Sequence, residues 1–201
     1  PMDYLERTGW CTDRTWVAHC VMPNADEIGR LGDAGVGVAH CPSSNMILAS
    51  GIAPVRALRT AGVPVGLGVD GSSSADAASL WLEARQAMLL AKLRDGAAAG
   101  SARMSLEMAT VGGAGCLGRV GELGSLSVGQ VGDIAVWPLT GPAFAGAVSD
   151  PVEAWLRCGP VAARHTVVHG RPVVRDGRLV SGRLDEMLVA HERISRRIQA
   201  G

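Results

Sequence analysis

The sequence carries no excess of either charge: nineteen basic residues balance nineteen acidic ones. That leaves no electrostatic footprint for nucleic acid or for an anionic membrane surface. Lysine is almost missing, since eighteen of the nineteen cations are Arg and Lys92 stands alone, a bias that reads as genome composition. No CxxC pair occurs, and the cysteines (Cys11, Cys20, Cys41, Cys116 and Cys158) are odd in number. Neither a disulfide framework nor a zinc knuckle is indicated, and free thiols in a reducing cytoplasm are the expectation. No apolar run reaches the ~18 residues of a membrane span, and no secretory leader is visible. Gly66 and Gly68 imitate part of a dinucleotide fingerprint, but Asp70 interrupts the pattern before GxGxxG is complete. The chain opens "PMDYLERTGW", with neither an initiator Met nor a leader, as expected of the downstream part of a longer protein.

What is present is apolar and periodic. Hydrophobic residues make up 47% of 201, and the mean hydropathy of +0.19 suits buried strands. Length allows one large domain or one and a half ordinary ones. From residue 15 to about 70 one unit recurs: an apolar strand, a polar residue, a helix, then Gly. "TWVAHC" reads as a strand and "NADEIGRLGDAG" as a short helix, with Asn24 as N-cap, Glu27 in the capping-box position and Gly35 as terminator. "VGVAHC" is a second strand, and "PSSNMILASGIAP" a loop. Pro54 opens another helix before the third strand, "VPVGLGVD". Residues 79–94 read as a long amphipathic helix.

Repeated βα units predict parallel strands covered by helices. They leave a closed barrel and an open doubly wound sheet both available. His19, His40 and Asp70 fall at the C-terminal ends of successive strands, where a (β/α)8 barrel assembles its active site. Each also has an ordinary reading. Asp70 could cap the next helix, and either histidine could be a satisfied core residue. Three βα units cannot close eight strands, so more than half of a barrel is expected outside this chain.

Beyond about residue 120 the character changes. "GELGSLSVGQVGDIAVW" places turn glycines around short β-prone pieces, and "HTVVHGRPVVRDGRLV" reads as a hairpin turning near Asp176-Gly177. His165 and His169 lie four apart in this β-rich part, and a structural role is expected for both. Residues 184–199 read as a charged amphipathic helix. The expected division is therefore a barrel segment over 1–120, a β-sandwich segment over 121–183 and a C-terminal helix over 184–201.

The phrase "AHCPSSNMILASGIAPVRALRTAGVPVGLGVDGSSS" resembles the core of the amidohydrolase superfamily, in its cytosine/guanine/triazine deaminase branch. "GELGSLSVGQVGDIAVW" resembles the segment by which such chains return to a small β-sandwich. Within the branch, "PMDYLERTGW", "GVGVAHCPSSN", "GLGVDGS" and "DPVEAWLRCGP" look most like the 8-oxoguanine deaminases. The resemblance implies a (β/α)8 TIM barrel of the metal-dependent hydrolases, with one divalent metal, zinc or iron. Asp70 would match the carboxylate after the eighth strand, which binds metal and shuttles protons. His19 would match the histidine after the sixth strand, which contacts the activated water or the substrate. His40 ends the seventh strand and joins Ser43, Ser44, Asn45 and Ser72 near the substrate, its role left open.

The family's HxH and His-x-x-Glu have no counterpart and are expected to precede residue 1. Ala75 stands in a turn that is often Asn-rich in the family. The function implied is hydrolytic deamination of an oxidised purine such as 8-oxoguanine; related deamination of guanine, a triazine or an adenosine derivative, chlorohydrolysis, and a non-catalytic fragment are the alternatives. A small purine or triazine-like substrate and a homo-oligomer are expected, and no activity is expected of the isolated segment.

Overall fold

The computed structural model describes residues 1–201. It divides into two compact units. One comprises residues 1–130 and 140–160, and the other residues 131–139 and 161–201.

The larger unit is built on three parallel strands, β1 (Trp16–Ala18), β2 (Gly37–His40) and β3 (Val65–Leu67), in that spatial order. Val17 pairs with Val38, and Val38 with Val65. After α1 (Met2–Arg7), helix α2 (Ala25–Asp33) joins β1 to β2. Its expected cap is present in both directions: Glu27 N donates to Asn24 Oδ1 at 2.9 Å, and Asn24 N to Glu27 Oε2 at 3.0 Å. Gly35, at φ +68°, ends the helix in the left-handed region that glycine enters at no steric cost. One face of the sheet buries Val38 and Val65 with Leu31, Val36 and Leu58, the core of this unit.

The stretch expected as a loop after β2 opens instead with helix α3 (Pro42–Ile47). Pro42 is pre-organised for a first helical turn. The remaining help comes from far along the chain: the Glu83 carboxylate accepts from Ser43 N at 2.9 Å. Periodicity cannot register such a contact. Helix α4 (Val55–Thr60) leads into β3, and α5 (Leu80–Asp95) starts at Ser79, whose hydroxyl caps Leu82 N at 3.4 Å. Helix α6 (Ala102–Glu107) passes through a single π turn (Met108–Gly112) into α7 (Gly113–Cys116).

Helix α7 approaches the strands at Gly37 and Gly66. A Cβ at Gly37 would lie 2.9 Å from Cys116 Cα, and one at Gly66 2.9 Å from Gly113 Cα. Gly37→Ala is therefore expected to destabilise the full-length protein by about 1–3 kcal/mol through overpacking. Gly29→Ala, where a Cβ meets nothing within 4 Å in mid-helix, should be neutral or stabilising by up to about 1 kcal/mol. Urea midpoints of the two variants check this, and equal shifts would show that α7 can yield.

The expected boundary at residue 120 and the single tail that follows it are not what the structure shows. Residues 140–160 belong to the larger unit because α8 (Pro151–Cys158) buries Ala154, Trp155 and Leu156. Asp150 caps α8, accepting from Val152 N and Glu153 N. Trp81 Nε1 donates to Trp155 O at 3.0 Å, with the two indoles edge to face. These partners lie about seventy residues upstream, so nothing local marks the helix as part of this core.

The smaller unit is a four-stranded antiparallel sheet in chain order, β4 (Ile134–Val136), β5 (His165–Val168), β6 (Arg171–Arg175) and β7 (Arg178–Leu179). The expected turn at Asp176-Gly177 exists, but a second one at His169-Gly170 makes a meander. Both residues of each pair have positive φ, as a two-residue type I′ hairpin requires. His169 is an unusual residue there; its N–H donates to Asp133 Oδ1 at 2.7 Å, which fixes the turn. Helix α9 (Leu184–Gln199) forms over the expected residues and belongs to this unit, with none of its residues buried. No helix of the chain is long and apolar enough to cross a membrane.

Candidate active site

The carboxyl ends of β1, β2 and β3 deliver His19, His40 and Asp70 as the sequence predicts. His19 N continues the parallel ladder to Ala39 O at 2.9 Å, and Gly68 N does so to His40 O. His19 and Asp70 both sit at φ +65°, and Cys20 at +45°. Non-glycine residues in the left-handed region cost on the order of 1–3 kcal/mol each and persist where the surroundings over-determine them.

Those surroundings are two consecutive residues of α3 and one of the turn after Asp70. Ser44 Oγ donates to Asp70 Oδ2 at 2.6 Å, and Asn45 Oδ1 lies 2.9 Å from His19 Nδ1. Ser74 adds a second hydroxyl to Asp70 Oδ2 at 3.2 Å. The Ser44 hydroxyl, foremost, and the Gly71 N–H hold the Asp70 carboxyl below the usual carboxylate range, so it is an anion at neutral pH. With Asn45 accepting at Nδ1, the neutral His19 ring carries its proton there and presents its Nε2 lone pair. Nε2 stands 3.5 Å from Asp70 Oδ2. Two acceptors thus converge on one small space, with the His19 and Asp70 side chains 38% and 33% exposed.

Convergent acceptors attract a cation, a proton or a water that donates to both. A carboxylate oxygen is a ligand that zinc or iron accepts, and an imidazole nitrogen beside it can meet a water there, so the residues present fit a divalent metal held by Asp70. They do not complete a site: no group of three or more His, Cys, Asp or Glu side chains in this chain is placed to hold an ion.

His40 is only 1% exposed, its Nδ1 finds no partner, and Asn45 Nδ2 likewise has none. Burial, and next the proximity of His19, push the His40 imidazolium down to about 4 from an ordinary 6.5. On unfolding His40 takes up a proton at pH values between about 4 and 6.5, so stability falls as pH drops through that window. The slope should approach about 1.4 kcal/mol per pH unit relative to a His40→Asn variant. Urea unfolding of both proteins across that range checks it, and parallel curves would show that His40 protonates freely when folded.

The other sequence candidates fall differently. The Ser43 hydroxyl is engaged by Glu83 Oε1 and lies 2.5 Å from Gln86 Oε1. Ser72 is exposed in the turn after Asp70, and it is Ser74 that reaches the carboxylate. His165 Nδ1 accepts from Asp176 N at 3.4 Å within the smaller unit's own sheet, in keeping with a structural role. Ser74, Glu83 and Gln86 were missed. The one available signal for Ser74 was its spacing of four from Asp70 across a turn.

A cavity of about 310 Å³ opens on the sheet face that carries Trp16, Ala18 and Ala39, with Leu67, Cys116 and Asp70 in its lining. Asp70 is the sole charged residue among those lining it, so the cavity combines apolar walls with one anion.

Parallel strands that deliver a carboxylate and imidazoles from their carboxyl ends place the candidate site where a (β/α)8 barrel or an open parallel sheet binds its ligand. The amidohydrolase family profile matches residues 1–173, and the chain belongs to the amidohydrolase family. An 8-oxoguanine deaminase of Pseudomonas aeruginosa is 44% identical over 200 residues, covering all of this chain and 44% of that protein. An adenosine deaminase of Xanthomonas campestris with bound zinc superposes with a TM-score of 0.90 at 30% identity, over all of this chain and 46% of that one. An atrazine chlorohydrolase of Arthrobacter aurescens complexed with zinc gives 0.87 at 36% identity, over 94% and 42%. The chain thus spans under half the length of these relatives, and its parallel strands are part of the amidohydrolase barrel.

Proposed function

We propose that the protein carrying these residues hydrolytically deaminates an oxidised purine, 8-oxoguanine first among candidates, with Asp70 as a ligand to one divalent metal, zinc or iron. The observation that carries this reading is the convergence of the Asp70 carboxylate and His19 Nε2, 3.5 Å apart, at the mouth of the parallel sheet. The 44% identity to an 8-oxoguanine deaminase along the whole chain supports the substrate class, and the zinc in two similar structures supports the metal. Further ligands would come from outside these residues, and the segment alone is expected to be inactive.

Bound beside Asp70, a divalent cation would supply a Lewis acid that makes water nucleophilic at neutral pH. Asp70, held anionic by Ser44, accepts one proton as the attacking oxygen bonds to the amino-bearing ring carbon. It returns that proton to the amino nitrogen as the C–N bond breaks. The second proton of the water ends on the adjacent ring nitrogen, which takes the electron pair of the attacked C=N bond, leaving a ring carbonyl beside an N–H, and ammonia. His19, its tautomer set by Asn45, accepts a hydrogen bond from the attacking water at Nε2. It keeps that hydrogen bond to the hydroxyl of the tetrahedral adduct and so orients it. The apolar cavity walls suit a flat heterocycle.

Ammonia release by the full-length protein from 8-oxoguanine, guanine and adenosine, with chloride release from atrazine alongside, tests the proposal. Preference for 8-oxoguanine is the expected result. Chloride release without ammonia would replace this reading with chlorohydrolysis, and inertness toward every substrate with zinc or iron supplied would leave a non-catalytic scaffold.

A further inference from the structure

Glu83 is 2% exposed, on the inward face of α5, beyond the residues that form the site itself. Its carboxylate is met by one residue twice: Ser43 N donates to Oε2 at 2.9 Å, and Ser43 Oγ donates to Oε1. Placing a carboxylate in a core is costly unless hydrogen bonds compensate it, and an apolar residue of similar size would stabilise as well or better. A role in core stability therefore does not account for it.

Its position does. The N-cap residue of α3, Cys41, makes no side-chain cap, so the Ser43 N–H is one of the donors a helix start leaves open, and Glu83 fills it from another helix. Successive residues on a helix point about 100° apart. Ser43, Ser44 and Asn45 therefore face three directions, toward Glu83, Asp70 and His19 respectively. Helix α3 is too short to be stable by itself, and Glu83 ties it to the sixteen-residue helix α5.

We infer that Glu83 is a positioning residue: through Ser43 it sets the rotation of α3, and through Ser44 and Asn45 it sets the Asp70 carboxylate and the His19 tautomer. This inference rests on the reading of His19 and Asp70 as the reacting pair.

The test compares Glu83→Ala, Glu83→Gln and Ser43→Ala in the full-length protein. Glu83→Ala should lower kcat on the order of 100-fold, the scale of a misplacement near 1 Å, with KM moving by less than about threefold. Glu83→Gln keeps an acceptor for the Ser43 N–H and should restore kcat to within about fivefold of the parent. In metal-free protein, the ring-nitrogen NMR shifts of His19 should report one fixed tautomer in the parent and in Glu83→Gln, and a mixture in Glu83→Ala.

A folded Glu83→Ala protein with parental kcat and an unchanged His19 signal overturns the inference. Should that variant not fold, Glu83→Met decides beside Ser43→Ala, since it fills a similar volume yet offers no acceptor to the Ser43 N–H. A fall in kcat at constant KM with tautomer mixing in Glu83→Met supports the inference, and parental behaviour in it overturns the inference. Parental turnover in Asp70→Ala would remove the catalytic reading beneath it. Loss in Asp70→Ala beside parental behaviour in Glu83→Ala removes this inference alone.

Discussion

Asp70→Ala in the full-length protein is expected to lose both bound metal and turnover, the latter by about 10⁴-fold or more, because in the proposed mechanism one substitution removes a ligand and the proton carrier together. The structural consequences should be small. Ser44 Oγ and Ser74 Oγ, which both donate to Asp70, also lie 3.0 Å from each other, so neither is stranded when the carboxylate goes. Asp70→Gly separates catalysis from folding more sharply. Glycine takes φ +65° freely, so this variant should be as dead as Asp70→Ala while matching or exceeding the parent in thermal stability. Metal content, ammonia release and melting temperature measured on the same preparations check the set. Full occupancy and parental rate in Asp70→Ala would reduce Asp70 to a turn residue.

His19→Asn should cut kcat by about 100-fold or more, the scale of losing a positioned hydrogen-bonding or acid–base group, while metal stays bound. The substitution keeps a residue type tolerant of the left-handed conformation but removes the Nε2 lone pair that faces Asp70 Oδ2. Metal loss in step with activity would move His19 into the coordination sphere. An unchanged rate would make it a strand terminator whose contact with Asn45 is structural.

The placement of His19, His40 and Asp70 was legible from sequence because it depends on local features. Each follows a short apolar run, and a strand's end is written in the run that precedes it. The α2 cap was legible for the same reason, since both partners of the capping box lie within four residues. The partners of the site were not. Ser44 meets Asp70 across twenty-six residues, Asn45 meets His19 across twenty-six, and Ser43 meets Glu83 across forty. Glu83 in particular carries no local signal, since its partner lies forty residues upstream.

The apolar rhythm of this chain, its turn residues and its caps determine that parallel strands form and which polar side chains stand at their ends, because those preferences are settled within a few residues. Whether Asp70 is an anion, which nitrogen of His19 carries the proton, why residues after Cys41 become helical and where α8 packs all depend on tertiary contacts. Each turns on a hydrogen bond or a buried surface between segments remote in sequence. Such contacts come into existence only when the parallel sheet brings its loops to one edge.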